Sequence, residues 1–319
     1  MGMGIELRGL ALRAGLAVAL VLCAAGGTVA EERVTLGWGR LFTNDLIGDG
    51  KDRWRTGSYT VSRVRGPAWS GPEGGGLDGV GFGQIVELRA HAAAISPASL
   101  TVPVAGDRRY VGVLSLGLAS HFGWQGAQVA LGAEMALTGP QTGVGSFQRR
   151  AHRLTGMLPP SAAVLAAQIG NRLHPGVNAE IGRDLALGGE SRLRPYVEAR
   201  AGLETLLRVG ADVTFGQLGQ DDLMLRDSGT GVRFRAVEGT RAEGISLTLG
   251  GDVARVFDTA LLPAGGGAVA SDTRYRVRAG VHWQGTRAAA FYGLTYLSPE
   301  FEAQPEGQLV GALSLNLRF

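Results

Sequence analysis

Thiols are almost missing from this chain of 319 residues: Cys23 is its one cysteine, set in an apolar run near the N-terminus. The remainder of the chain therefore has no disulfide framework, no Cys-zinc site and no Cys nucleophile. A lipoprotein would carry a small residue just before the acylated cysteine, whereas Leu22 precedes Cys23. Lysine is equally scarce, with Lys51 alone, so arginine supplies nearly all of the positive charge. Charged residues make up only 18% of the chain, with a formal net charge of +3. No basic run or basic–aromatic stripe marks a surface for nucleic acid, and no nucleic-acid partner is expected. No GxSxG elbow, P-loop or HExxH occurs, which removes the α/β-hydrolase, P-loop NTPase and zincin classes. The glycine-rich stretches GPEGGG (71–76) and GGGAVA (265–270) join no strand to a helix, so they do not read as phosphate cradles.

The N-terminus reads as a signal peptide over residues 1–30. Arg8 and Arg13 form a basic start, residues 14–25 are apolar, and Thr28-Val29-Ala30 gives a small-x-Ala cleavage site. After it, no stretch has the uninterrupted apolar length of a membrane-spanning helix, about 20 residues. A membrane role for residues 31–319 then requires a closed barrel, because only a barrel satisfies every backbone polar group without helices.

Glycine is abundant, 52 residues without a Gly-X-Y period, which weakens a helical reading and suits turns, bulges and close backbone approaches. Segments of about ten residues alternate apolar with polar or small side chains. The clearest are 110–120, 128–137, 177–187, 195–203, 206–216, 245–253, 275–283, 288–297 and 310–319. Weaker ones cover 34–42, 54–65 and 82–90. Together they predict an all-β, transmembrane antiparallel β-barrel of about twelve strands, an even number as in bacterial outer-membrane barrels. The last segment, LSLNLRF, closes on Phe319 as such barrels commonly do. A soluble periplasmic barrel or sandwich is the competing architecture.

If both ends of the barrel domain face the periplasm, the long outward loops fall at 44–52, 91–109 and 138–174. Two places fit this parity badly: residues 217–243 are long where a short turn belongs, and Glu204-Thr205 is short where an outer loop belongs.

Asn44, Asp45, Asp49, Asp52 and Thr56 gather hard oxygen donors of the kind Ca²⁺ prefers. Aspartates with glycines are also ordinary turn chemistry. His152 lies in the longest outward loop, in GPQTGVGSFQRRAHRLTG (139–156), where an imidazole could serve as a general base. His91, His121, His174 and His282 show no metal-ligand spacing. Parity puts Asp45, Thr56 and His152 on one rim.

These blocks resemble the LpxR-type lipid A 3′-O-deacylases of Gram-negative outer membranes. The resemblance is carried by Asn44-Asp45, DRWRTG (52–57), DRRYVG (107–112), the 139–156 block and YLSPEFEAQ (296–304) with Phe319. It implies an active site facing the outer leaflet and Ca²⁺-dependent hydrolysis of the ester-linked 3′ acyloxyacyl chain. By this resemblance, His152 activates water, Asn44 and Thr56 complete the catalytic set, and Asp45 holds Ca²⁺. Arg149, Arg150 and Arg153 become candidates for lipid A phosphates, or for a charged rim, and a monomer in the outer membrane is expected. The chain departs from the family in residues 157–171, which carry no acid; Leu158 stands where a carboxylate is expected. Arg109 replaces a proline, and no counterpart of the family lysine can be placed. Two non-deacylase readings stay open: an inactive relative or narrow structural pore, and a phospholipase built on Ser146 and His152.

Overall fold

Alternation along the chain is realised as a closed wall of strands. The computed structural model describes residues 33–67, 77–217, 219, 222–239 and 243–317; residues 1–30, expected from the sequence to be a signal peptide, and Phe319 lie outside them. Five strands come first: β1 (Val34–Asn44), β2 (Trp54–Gly66), β3 (Ile85–Ser96), β4 (Val111–Trp124) and β5 (Ala127–Thr138). A 3₁₀ turn (Pro140–Thr142) and helices α1 (Val144–Thr155) and α2 (Ala162–Ala166) fill the next connection. β6 (Arg172–Gly182), a short β7 (Leu185–Gly188), β8 (Ser191–Ala201) and β9 (Glu204–Phe215) follow. The remaining strands are β10 (Leu223–Arg226), β11 (Arg233–Val237), β12 (Gly244–Thr259), β13 (Thr273–Gln284), β14 (Ala288–Leu297) and β15 (Gln308–Leu317).

Twelve of these close into an antiparallel barrel, in the order β1-β2-β3-β4-β5-β6-β8-β9-β12-β13-β14-β15 and back to β1. The closing seam is short, with only Phe42–Leu313, Thr43–Ala312 and Asn44–Gly311 in register. Helices play no part in the wall, and no helix among the described residues is long and apolar enough to cross a membrane.

Strand β13 shows the logic of the wall. Tyr275, Val277, Val281 and Trp283 are exposed, while Arg274, Arg276, Arg278, His282 and Gln284 are buried between them. Period two sends the first set to the outside and the second into the lumen. Tyr275, Tyr296 and Phe257 ring the outside near one end, and Trp124, Trp283 and Phe215 ring it near the other, the two aromatic girdles of a membrane barrel.

Arginines in the lumen pair with acids on other strands of the wall. Arg276 Nε donates to Asp252 Oδ1 at 2.9 Å, Arg278 Nε to Asp212 Oδ1 at 2.8 Å, and Arg208 Nη1 to Glu198 Oε2 at 2.6 Å. A buried charge without such a partner would cost several kcal/mol, on the order of 3–5. The arginine-rich composition thus has a structural use inside the barrel.

The long 217–243 connection is a plug. β10 and β11 pair as a hairpin inside the end of the barrel opposite the loops that carry the candidate site. Arg226 on β10 donates to Glu180 of β6 at 2.8 Å, and Arg276 of the wall donates back to the Ser228 carbonyl at 2.9 Å. Phe234 is fully buried with Leu41, Val64 and Leu225. Gly39 of β1 makes room for it, since a Cβ there would lie 2.8 Å from the Phe234 ring. A hairpin docked on the inner wall therefore replaces the periplasmic turn that parity required. The other misfit is real: Gly202-Leu203 is a two-residue link between β8 and β9 at the site end.

Candidate functional site

The loop between β1 and β2 is folded around Asp45. Its carbonyl accepts from Gly48 N at 2.9 Å and Gly50 N at 2.7 Å, and its own N–H donates to the Thr56 carbonyl at 3.2 Å. Asn44 opens the loop as an Asx turn, its Oδ1 accepting from Leu46 N at 2.7 Å. The Asn44 amide lies against Gly57. Asn44 thus fixes the turn that presents Asp45.

The Asp45 side chain is completely buried. Its carboxylate accepts from Arg53 N at 2.6 Å and Gln308 Nε2 at 3.2 Å, with Thr56 Oγ1 at 3.4 Å. No cationic side chain among the described residues forms an ion pair with it. Burial, with Asp52 and Asp49 nearby, pushes the Asp45 carboxyl up to about 7. Thr56 Oγ1 lies between two carboxylates, since it also makes a very short hydrogen bond to Asp52.

Asp52 and Trp54 both have positive φ, 53° and 54°. Aspartate tolerates this region; tryptophan does not, and something must hold it there. Trp54 is buried, with the Arg53 guanidinium 4.0 Å from its ring centroid and the Phe301 ring edge-on at 6.5 Å. The strained peptide aims Asp52 across the loop toward His152.

His152 comes from α1, whose ends are set by Gly143 and Gly156, both left-handed. Gln148 and His152 lie one turn apart and are the buried residues of this helix. His152 Nδ1 donates to the Leu158 carbonyl at 2.8 Å, and the Asp52 Oδ2 lies 3.6 Å from the same nitrogen. A proton fixed on Nδ1 leaves Nε2 as the basic nitrogen. Gln148 is held in turn by Tyr110, whose hydroxyl donates to Gln148 Oε1 at 2.8 Å; burial raises the Tyr110 pKa.

The fold therefore brings Asp45, Thr56 and Asp52 from one loop together with His152 from another, although about a hundred residues separate them. Gln148 and Gln308 are the members that sequence reasoning missed, while Asp52 was read as one of the loop's oxygen donors and not as a partner of His152. Only Gln148 carried a local signal, its i, i+4 spacing to His152 on a helix. The YLSPEFEAQ block supports the rim from behind. Glu300 accepts from Arg55 Nε at 2.9 Å, makes a very short bond with Arg108, and has Arg274 Nη1 at 3.5 Å. This one glutamate joins three separated sequence blocks.

Other expected residues fall elsewhere. Arg150 and Arg153 are exposed, while Arg149 is half-buried and donates to the Pro160 carbonyl at 3.3 Å. Ser146 is exposed on the side of α1 away from His152, which overturns the Ser–His pair of the phospholipase reading. Lys51 pairs with Glu306 at 3.0 Å on the surface. Among the described residues, no three His, Cys, Asp or Glu side chains form a metal cluster.

A twelve-stranded barrel with an apolar outer belt, two aromatic girdles and a histidine–carboxylate rim is an outer-membrane protein. The chain belongs to the family described as outer membrane protein LpxR, whose model matches residues 14–319. Among solved structures it is similar to LpxR from Salmonella typhimurium, with TM-score 0.72 and 18% identity over 89% of this chain and 100% of that one. Matches to a KdgM porin (TM-score 0.39, 5% identity, 89% of this chain and 98% of that one) and to the translocator domain of the autotransporter NalP from Neisseria meningitidis (0.42, 10%, 100% of both) are far looser. No curated protein matches the chain.

Proposed function

We propose that the protein is a lipid A 3′-O-deacylase that hydrolyses the ester-linked 3′ acyloxyacyl chain, with its site facing the outer leaflet. The observation that carries this reading is the orientation of His152. Its Nδ1–H donates to the Leu158 carbonyl, with the Asp52 carboxylate 3.6 Å from the same nitrogen, so the basic lone pair of the ring is on Nε2.

In this reading His152 Nε2 takes a proton from water as the hydroxide attacks the ester carbonyl, forming a tetrahedral oxyanion. Collapse breaks the bond to the sugar oxygen, which receives the proton back from His152, and the fatty acid leaves. Asp52 stabilises the imidazolium formed between these steps. Asn44 and Thr56 position the loop and its carboxylates.

Ca²⁺ fits Asp45, a buried carboxylate with hard oxygen neighbours and no cationic partner. When bound it would supply Lewis-acid stabilisation of the oxyanion. The carboxylate expected at Leu158 to assist the metal is absent, and the backbone carbonyl there accepts from His152 Nδ1 instead of offering a metal ligand. Arg149, Arg150 and Arg153 remain candidates for the lipid A phosphates, with lipopolysaccharide as the partner and the monomer as the working unit. The signal peptide 1–30 would direct export.

The narrow-pore alternative is disfavoured by a lumen filled with ion pairs and closed by the β10–β11 hairpin. The test is mass spectrometry of lipid A from cells expressing the protein, in the presence of Ca²⁺ and after chelation. Loss of the 3′ acyloxyacyl group that disappears in His152→Ala and on chelation is expected. Unchanged lipid A at normal barrel abundance would favour an inactive relative.

A further inference from the structure

Helix α1 has two faces, and the candidate site uses one. Gln148 and His152 turn inward. On the opposite side Phe147 and Leu154 are 73% and 82% exposed, followed beyond the helix by Leu158 at 65%. Arg150 and Arg153, also exposed, flank this apolar stripe. Large apolar side chains grouped this way in water are unusual and mark a surface with a partner.

The attachment of α1 identifies the partner. On β4, Val113 and Ser115 line an interior cavity and Leu116 is 63% exposed. Strand alternation therefore puts Gly112 on the outer face with Leu114 and Leu116. A Cβ on Gly112 would meet Thr142 Oγ1 at 2.5 Å and Val144 Cβ at 2.8 Å. The 3₁₀ turn and the first turn of α1 thus lie over the lipid-facing side of the wall, directly above its apolar belt.

We infer that α1 is an interfacial helix, with Phe147, Leu154 and Leu158 seated at the acyl boundary of the surrounding bilayer leaflet and Arg150 and Arg153 at the level of anionic head groups. Continuity with the outer belt supplies the apolar half of the argument. Charge complementarity supplies the other half, since a basic flank beside an apolar stripe is the pattern of membrane-surface helices. The inference rests on the barrel and its outer-membrane class, and stands independently of the deacylase reading. Its functional consequence is that His152, on the reverse face, is held at the junction of head groups and acyl chains, where a lipid ester lies.

Cys23 is the chain's one cysteine, so Cys23→Ser provides a background for single spin labels. Phe147→Cys and Leu154→Cys would be labelled in the full chain, in vesicles of equimolar phosphatidylethanolamine and phosphatidylglycerol. Leu116→Cys on the wall and Arg287→Cys on the opposite end serve as lipid and water references. Collisional relaxation by oxygen and by a water-soluble nickel chelate then reads depth. Labels at 147 and 154 are expected to favour oxygen, as at 116. Chelate-dominated relaxation at both, as at 287, overturns the proposal. Adding R150Q and R153Q is expected to lower the oxygen preference at 154 in these vesicles; no change would overturn the electrostatic half. No substrate is turned over, so an inactive protein leaves this result intact.

Discussion

Asp52 Oδ2 and His152 Nδ1 lie 3.6 Å apart, joining a strained turn after β1 to a helix a hundred residues further on. The nitrogen also donates to the Leu158 carbonyl, so the ring has two acceptors on one edge. Removing the charge while keeping the shape, in Asp52→Asn, is expected to slow lipid A deacylation about 10–100-fold by leaving the imidazolium less stabilised. Time-resolved mass spectrometry of lipid A checks this, and a rate equal to the wild type would remove Asp52 from the mechanism.

Leu158 contributes its backbone, and its side chain points away into the surroundings. Leu158→Ala should therefore leave the rate within about twofold of wild type, an effect too small to reflect loss of a catalytic group. A large loss in the same assay would show that the leucine side chain itself is used.

The hydroxyl of Tyr110 is buried against Gln148. Tyr110→Phe leaves that amide oxygen without its donor, a loss of about 1–3 kcal/mol. Activity is expected to fall with little change in barrel abundance, since neither residue belongs to the wall's ion network. Heat-modified mobility on gels would confirm that the barrel forms.

Much of the wall was legible in the sequence because a half-buried strand writes its two faces in alternation, as β13 does in YRVRAGVHWQ. The strand count and the shared rim of Asp45, Thr56 and His152 followed from that pattern. The plug did not, because a hairpin of four- and five-residue strands is too short to show a period. The lumen arginines were read as composition, since their partners lie on other strands. Asp52 was visible as a loop oxygen for a cation, but its pairing with His152 depends on how a distant loop is folded back, and nothing local encodes that.

The plug makes a prediction of its own. Phe234 is fully buried, and Phe234→Ala should cost about 3–5 kcal/mol of stability. Wild-type protein in planar bilayers is expected to show no sustained conductance. Replacing residues 222–239 with a short Gly-Ser link should open one, and current through the wild type would mean the hairpin leaves the lumen.

Glu300 is shared by Arg55, Arg108 and Arg274. Glu300→Gln leaves this buried group with excess positive charge, at a cost of about 3–5 kcal/mol. A lower unfolding temperature on heated gels is expected, and an unchanged one would show that Glu204 suffices alone.

The closing seam between β1 and β15 gives the barrel an uneven resistance to being pulled apart. Three residue pairs hold it, all next to the Asp45 loop, whereas the β1–β2 and β14–β15 seams run the length of their strands. The loop itself spans the gap, with Asp49 N bonded to the Leu309 carbonyl at 3.0 Å and Gln308 reaching Asp45. Heat or tension would unzip the cylinder there first, so the reactive loop doubles as the clasp of the wall, and loss of activity on heating should precede loss of the barrel.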